Sequence, residues 1–475
     1  MEIFSNAIMA EIANRLVSFL VDKYWKMAKP TLEDKRLQDL QRLLLRVHVI
    51  VEEAEGRHIT NQAMVRQLNM LRKEMYRGYF TLDSLRSQGN EEEKVKHNDV
   101  NRCFSLSNFN PAKRLVFSTS DIHRVDDLQQ VLDNLNHMIV DVSEFVTFLN
   151  NYHPLYRQPY SMHLFVGKCM FGRQMEMDRI MDFLMQKEHF SKESVGVLPV
   201  VGPIFVGKST LVANVCNDAR VRNHFSQIIL VNGDDINRTL KDRASIIRQN
   251  NTSDGNQRLL AIIECSRDVH KVAWDSFYLQ FAKSLGRGSK IIITSRSNKI
   301  TEFGTTQTLV LNYLPREAYW YFFKILTFGS VDSSDHPQLQ SIAMEISRLL
   351  NGRFISANIH SGLLRDNFTA QYWHKHLKSF KEDAQRNIAL FHNYQNDLRQ
   401  KSKHYSYRIN QDEFLIYLQV RSCLSENDVP TITMYDLISG SVKCEGEIEV
   451  LLWKSHILPY KYYILNCALS ANTPL

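Results

Sequence analysis

In the first 150 residues, apolar side chains return at steps of three and four. Phe4, Ile8, Ile12, Leu16 and Leu20 form one stripe, and Leu37, Leu40, Leu44, Val47 and Val51 a second. Met64, Leu68, Leu71, Met75, Tyr79 and Leu82 form a third. Leu128, Leu132, Leu135, Ile139, Val142, Val146 and Leu149 sustain the longest, a heptad-like seam. This is the helical period, so each stripe predicts one buried helix face. Four in succession predict an antiparallel four-helix bundle over residues 1–150. The polar stretch from Ser87 to Arg102, with Glu91-Glu92-Glu93 inside it, predicts a solvated loop.

Residues 151–165, with Pro154 and Pro159, read as a linker. The pattern then changes. Short apolar runs at Val197–Val201, Ile228–Val231, Leu259–Ile263 and Ile291–Ile293 alternate with helical stretches. That alternation predicts a parallel sheet with helices on both faces, over residues 166–330. Helical periodicity returns over 331–393 and predicts a helical subdomain. From 394 to 475, apolar runs such as Phe414–Val420 mix with turn residues, and no fold class emerges. The expected fold class is therefore multidomain, α followed by α/β, ending in a small region of open class.

Composition narrows the function classes. The chain has 475 residues and a formal charge of +7, with 44% hydrophobic and 23% charged residues, as in an ordinary soluble protein. The charge is mild for this size and does not argue for nucleic acid. No run reaches the roughly 18 apolar residues of a membrane span. Glu2 and Glu11 interrupt the apolar pattern at the N-terminus, which does not read as a signal peptide. The seven cysteines are scattered, with no CxxC pair, and predict buried reduced thiols in a cytoplasmic protein. The sequons at Asn251 and Asn367 carry no meaning in that compartment.

One segment carries chemistry. Val197–Val201 is followed at once by Gly202-Pro203-Ile204-Phe205-Val206-Gly207-Lys208-Ser209 and then by a helix-like stretch to Cys216. This is the phosphate-binding loop pattern, G-x-x-x-x-G-K-[ST], in its strand–loop–helix setting. Glycines at Gly202 and Gly207 let backbone N–H groups point at phosphate oxygens, and the helix N-terminus adds its positive dipole end. Lys208 would neutralise the β- and γ-phosphates, and Ser209 would offer its hydroxyl to Mg²⁺. Glu264, at the end of the run Leu259–Ile263, is placed either to reach the metal shell through water or to face solvent. Arg296 follows the run Ile291–Ile293. It sits where open α/β sheets hold ligands, as a terminal-phosphate sensor or as a surface arginine.

These segments, in this order, resemble the plant intracellular immune receptors of the coiled-coil NLR (NB-ARC) class over about the first 380 residues. Residues 1–150 resemble the Rx-type N-terminal bundle. Phe171-Gly172-Arg173-Gln174-Met175-Glu176 resembles the Gly-Arg-Glu motif, which implies that Arg173 lies near the adenine. Gly202–Leu211 is similar to the family P-loop, which adds Val206 and Thr210 to the implied nucleotide contacts. Gly288–Arg296 and Glu317–Phe322 resemble two further family segments.

The departures are specific. Glu264-Cys265 stands where the family has an acidic pair, and Gly352-Arg353-Phe354-Ile355-Ser356 where it has Gly-Leu-Pro-Leu-Ala. Arg77–Asp83 replaces the acidic motif of the bundle's third helix. The family's Met-His-Asp triplet and leucine-rich repeats are absent from this sequence. The resemblance thus implies a truncated relative that binds ADP or ATP with Mg²⁺ as a signalling switch in plant defence. Its ATPase would be very slow at most, and its bundle would engage other immune receptors or signalling proteins. The alternative is a degenerate adaptor or decoy that pairs with full-length receptors without nucleotide. A small-molecule kinase would need a substrate-binding or catalytic-base signature, and the sequence shows neither.

Overall fold

The computed structural model describes residues 32–55, 57, 59, 61–99, 111–152, 169–186, 195–203, 205–236, 258–265, 267–284, 288–393, 406–408, 413–423, 425–439, 442, 446–457 and 459–471. The chain divides into two compact units, residues 1–157 and 158–475.

In the first unit, helices α1 (Leu32–Glu55), α2 (Gln62–Asp99) and α3 (Pro111–Leu149) pack against one another pairwise. Leu40, Leu44, Val47, Val51, Leu68, Leu71, Met75, Leu128, Leu135 and Val142 are buried between them. The stripe from Phe4 to Leu20 lies outside the described residues, and the fourth helix of the expected bundle with it. Gly78 marks a close approach of α1 and α2, because a Cβ there would stand 2.5 Å from Leu44 Cδ2.

Two expectations change. Val146 is 38% exposed, while Val131 and Phe145 are buried. The seam steps by three from Leu128 to Val131, which turns position 145 rather than 146 inward. The residues Glu91-Glu92-Glu93 are not a loop, since α2 runs through them to Asp99. Polarity does not end a helix by itself. Glu and Lys are good helix formers, and no proline intervenes.

The second unit is built on a parallel sheet of β1 (Gly196–Val201), β2 (Gln227–Asn232), β3 (Leu259–Glu264), β4 (Lys290–Ser295) and β5 (Leu309–Val310). Its order is β2-β3-β4-β1-β5. Every residue of β1 is buried, as a strand covered on both faces requires. Val197 and Val201 face one layer, with Trp274 and Phe277 of α8 (Lys271–Ser284) and Ile300 and Phe303 of a 3₁₀ turn. Leu198 and Val200 face the other, formed by α4 (Gln174–Met185), α5 (Lys208–Cys216) and α6 (Ala219–His224). A short helix α7 (Gly233–Ile236) follows β2.

Helices α9 (Arg316–Phe328), α10 (Pro337–Leu350), α11 (Phe354–Asp366) and α12 (Ala370–Asn393) come next. Helix α9 packs on α10 and α11, and α10 on α12. Trp320, Phe323 and Trp373 are fully buried in this layer. The C-terminal stretch forms a four-stranded antiparallel sheet of β6 (Ser406–Arg408), β7 (Glu413–Cys423), β8 (Glu447–Lys454) and β9 (Tyr462–Ala471), in the order β6-β7-β9-β8. Helix α13 (Met434–Ser439) packs on β8, as does α11, and β6 lies against α12. Among the described residues, no helix is long and apolar enough to cross a membrane.

Candidate functional site

Strand β1 lies between β4 and β5, so its C-terminal end opens where ligands bind in open α/β sheets. The chain leaves β1 at Gly202. Its N–H donates to Ser295 O, and a Cβ there would stand 2.5 Å from the Leu311 carbonyl oxygen. Gly207 has φ +94° and caps α5, with nothing within 4 Å of the Cβ it lacks. The first position is therefore held to glycine by crowding, and the second by conformation. Phe205 also has a positive φ, +59°, which L side chains rarely adopt. The buried Val206 side chain anchors the loop among Leu211, Val212 and Leu198.

Lys208, at the first turn of α5, donates its ammonium to the Gly202 and Pro203 carbonyls, each at 2.8 Å. Burial, followed by the Arg296 charge, lowers its pKa to about 8, while Glu264 acts in the opposite sense. Lys208 on α5, Glu264 at the end of β3 and Arg296 just past β4 thus sit within electrostatic reach of one another. Arg296 itself is exposed.

Two cavities meet at α5. One, of about 190 Å³, is lined by Gly207, Lys208, Ser209 and Thr210 and by Phe171, Phe322 and Phe354. The other, of about 450 Å³, is lined by Ser209, Cys216, Arg222, Glu264 and Lys461. Ser209 borders both. Burial raises the Cys216 thiol to about 12, so it is no nucleophile.

Arg173 is 4% exposed. One guanidinium nitrogen lies 3.0 Å from Glu176 Oε1 and the other donates to the Asn312 carbonyl, which ties α4 to the segment after β5. Its guanidinium carbon is 6.0 Å from the Phe354 ring centroid. Phe354 meets Phe322 edge-on at 5.2 Å, and Phe322 lies 5.2 Å from Phe171. Tyr319 donates to the Arg353 carbonyl, which fixes the start of α11 beside this cluster.

The residues fit a nucleotide with its metal. The loop presents an open cradle above Gly207, the N-terminus of a nine-residue helix, a half-buried cation and two adjacent hydroxyls. Ser209 and Glu264 supply oxygen donors to one cavity, the ligand type that Mg²⁺ takes.

The NB-ARC domain family matches residues 173–332. This segment is an NB-ARC domain. It begins at Arg173 and contains the P-loop, Glu264 and Arg296. The disease resistance protein RGA1 of Solanum bulbocastanum is 28% identical over 224 residues, covering 43% of this chain and 22% of its own length. The disease resistance RPP13-like protein 1 of Arabidopsis thaliana is 22% identical over 405 residues, covering 80% of this chain and 37% of its own. The chain thus spans well under half the length of these relatives. Among solved structures, C. elegans PCH-2 aligns over 48% of this chain and 73% of its own, with 12% identity and a TM-score of 0.33.

Some lining residues escaped sequence reasoning. Trp453 and Tyr463, from the C-terminal sheet, line the smaller cavity beside the NB-ARC P-loop. Their signal is tertiary, since nothing near them in sequence repeats a nucleotide motif.

Proposed function

We propose that this protein is an ADP- or ATP-binding signalling switch of plant innate immunity. The observation that carries the reading is the NB-ARC P-loop itself, opening with Lys208, Ser209 and Thr210 onto an aromatic cavity. The phosphates would lie over the N-terminus of α5, taking backbone N–H groups and the Lys208 ammonium. Lys208 would exchange its two carbonyl partners for phosphate oxygens. Ser209, with Glu264 through water, would hold Mg²⁺, which when bound draws charge from the phosphate oxygens. The base would enter among Phe171, Phe322 and Phe354, with Arg173 holding that wall in place.

Hydrolysis is expected to be very slow, since Glu264 is the lone acid at its strand end and Cys265 after it is buried. Turnover should fall far below the ~1–100 s⁻¹ of kinases. A switch needs differential binding rather than turnover, and the bundle would pass the nucleotide state to receptors or signalling proteins. Protein purified without added ligand should carry ADP or ATP in near-equal molar amount when denatured and chromatographed. Protein that carries none, and takes up none on titration, would leave the second reading. That reading, a nucleotide-independent adaptor, draws its support from the Glu264-Cys265 replacement.

A further inference from the structure

The C-terminal sheet reaches the P-loop. Tyr463 Oη lies 3.2 Å from Thr210 Oγ1, a hydrogen bond between β9 and the first turn of α5. Trp453, at the end of β8, stacks on Tyr463 with ring centroids 5.8 Å apart and planes 24° apart. His456 continues the row, 6.2 Å from Trp453. Trp453, Ile457 and Tyr463 all line the cavity that Phe171, Phe322 and Phe354 line from other elements. The β8–β9 register slips between Leu451 and Trp453, so Leu452 is an extra residue. A bulge of this kind re-aims the side chain that follows it. Here it sets Trp453 opposite Tyr463. Burial raises the Tyr463 pKa, so its hydroxyl stays protonated and able to donate.

We infer that Trp453 and Tyr463 form an outer wall of the nucleotide site, with Trp453 making an aromatic contact to the base. The inference rests on the nucleotide-binding reading of the P-loop. A planar base fits between two sets of rings, because every base offers a π face and stacking tolerates different bases. The wall belongs to neither the P-loop sheet nor the helical layer. It gives residues 447–471 a part in ligand binding, and it makes nucleotide affinity depend on a sheet far from the P-loop in sequence.

The test uses the full chain, with ADP as the probe. Calorimetric titrations compare wild type, Trp453→Ala, Trp453→Phe and Lys208→Ala, and indole emission is recorded at each addition. Trp453→Ala should weaken ADP binding at least about fivefold, the lower end for losing one base–aromatic stack. Trp453→Phe should stay within about threefold, since a ring remains, and should lose part of the ADP-induced emission change. Equal affinity in wild type and Trp453→Ala overturns the inference and leaves the nucleotide reading standing. If Trp453→Ala does not fold, an emission change in Trp453→Phe identical to wild type overturns it instead. A wild type that binds no ADP, or binds it as Lys208→Ala does, removes the nucleotide reading first.

Discussion

His360 Nδ1 lies 2.8 Å from His376 Nε2, buried between α11 and α12. One neutral ring donates and the other accepts, an arrangement that a second proton destroys. Helix α11 also carries Phe354 and Asn358 to the cavity, so this pair braces one wall of the site.

The pair predicts acid sensitivity. Burial holds His376 down at about 4 and His360 well below the usual imidazole value. Unfolded histidine titrates near ~6.5, so the unfolded chain takes up protons first as pH falls. Stability is therefore complete above about 6.5 and declines from there towards 4, by on the order of 3 kcal/mol from His376 alone. Melting temperature measured across this range should fall steeply in wild type and less in the His360→Leu, His376→Leu double variant. Parallel curves would contradict the assignment.

Lys208 predicts a proton linked to ligand binding. Its pKa of about 8 should rise when anionic phosphates replace neutral carbonyls. ADP binding should then take up a proton near pH 8 and weaken as pH rises further. Calorimetry in buffers of different ionisation enthalpy reads this uptake directly. Lys208→Ala should abolish it and lower affinity at least about thirtyfold, from the ~2–5 kcal/mol lost with a buried charge pair.

The two loop glycines should fail differently. Gly202→Ala drives a methyl into the Leu311 carbonyl, which is backbone and cannot swing aside. Gly207→Ala meets open space and carries the cost of its φ, ~1–2 kcal/mol. Thermal melts should rank Gly202→Ala below Gly207→Ala, and the reverse order would show that the loop relaxes around position 202.

Cys265→Asp, which recreates an acidic pair, should not rescue hydrolysis. Cys265 is 6% exposed within the apolar cluster of Val231, Ile263 and Ile293. Its Sγ is also 2.5 Å from where a Gly233 Cβ would stand. A carboxylate there is desolvated without room for partners and should cost several kcal/mol. A variant that melts like wild type and turns over ATP faster would show that water reaches this position.

Val142→Asp should unfold the bundle for the same reason, because Val142 is 5% exposed on the α3 seam. Circular dichroism of the full chain should show a fraction of helix lost while ADP binding persists. Intact helix would place Val142 on an accessible face.

What could be read from sequence was whatever repeats over short distances. The strand runs at 197–201, 228–231, 259–263 and 291–293 all lie within strands of one parallel sheet, because each is apolar on both faces and bounded by turns. The glycine spacing of the P-loop is equally local. The helical end of α2 was hidden because a charged run looks alike in a loop and on an exposed helix. Phe414–Val420 carries no two-residue alternation, so its strand was not evident. Trp453 and Tyr463 come together only through antiparallel register and a bulge, which no window of sequence encodes. Arg173, which the resemblance implies lies near the adenine, donates to the Asn312 carbonyl beside the Phe354 ring, contacts that bridge 139 and 181 positions and that no local window encodes.

The strand order of the C-terminal sheet has a consequence for biosynthesis. Strand β9 is the last of its four strands to be translated, yet it lies inside the sheet, bonded to β7 on one side and β8 on the other. Until it emerges from the ribosome, β8 has no partner strand in this sheet and Trp453 has no Tyr463 to stack on. A nascent chain would thus fold its P-loop layer well before the Trp453–Tyr463 face could exist. For that interval the phosphate loop stands without the Trp453–Tyr463 face that later lines the cavity beside it.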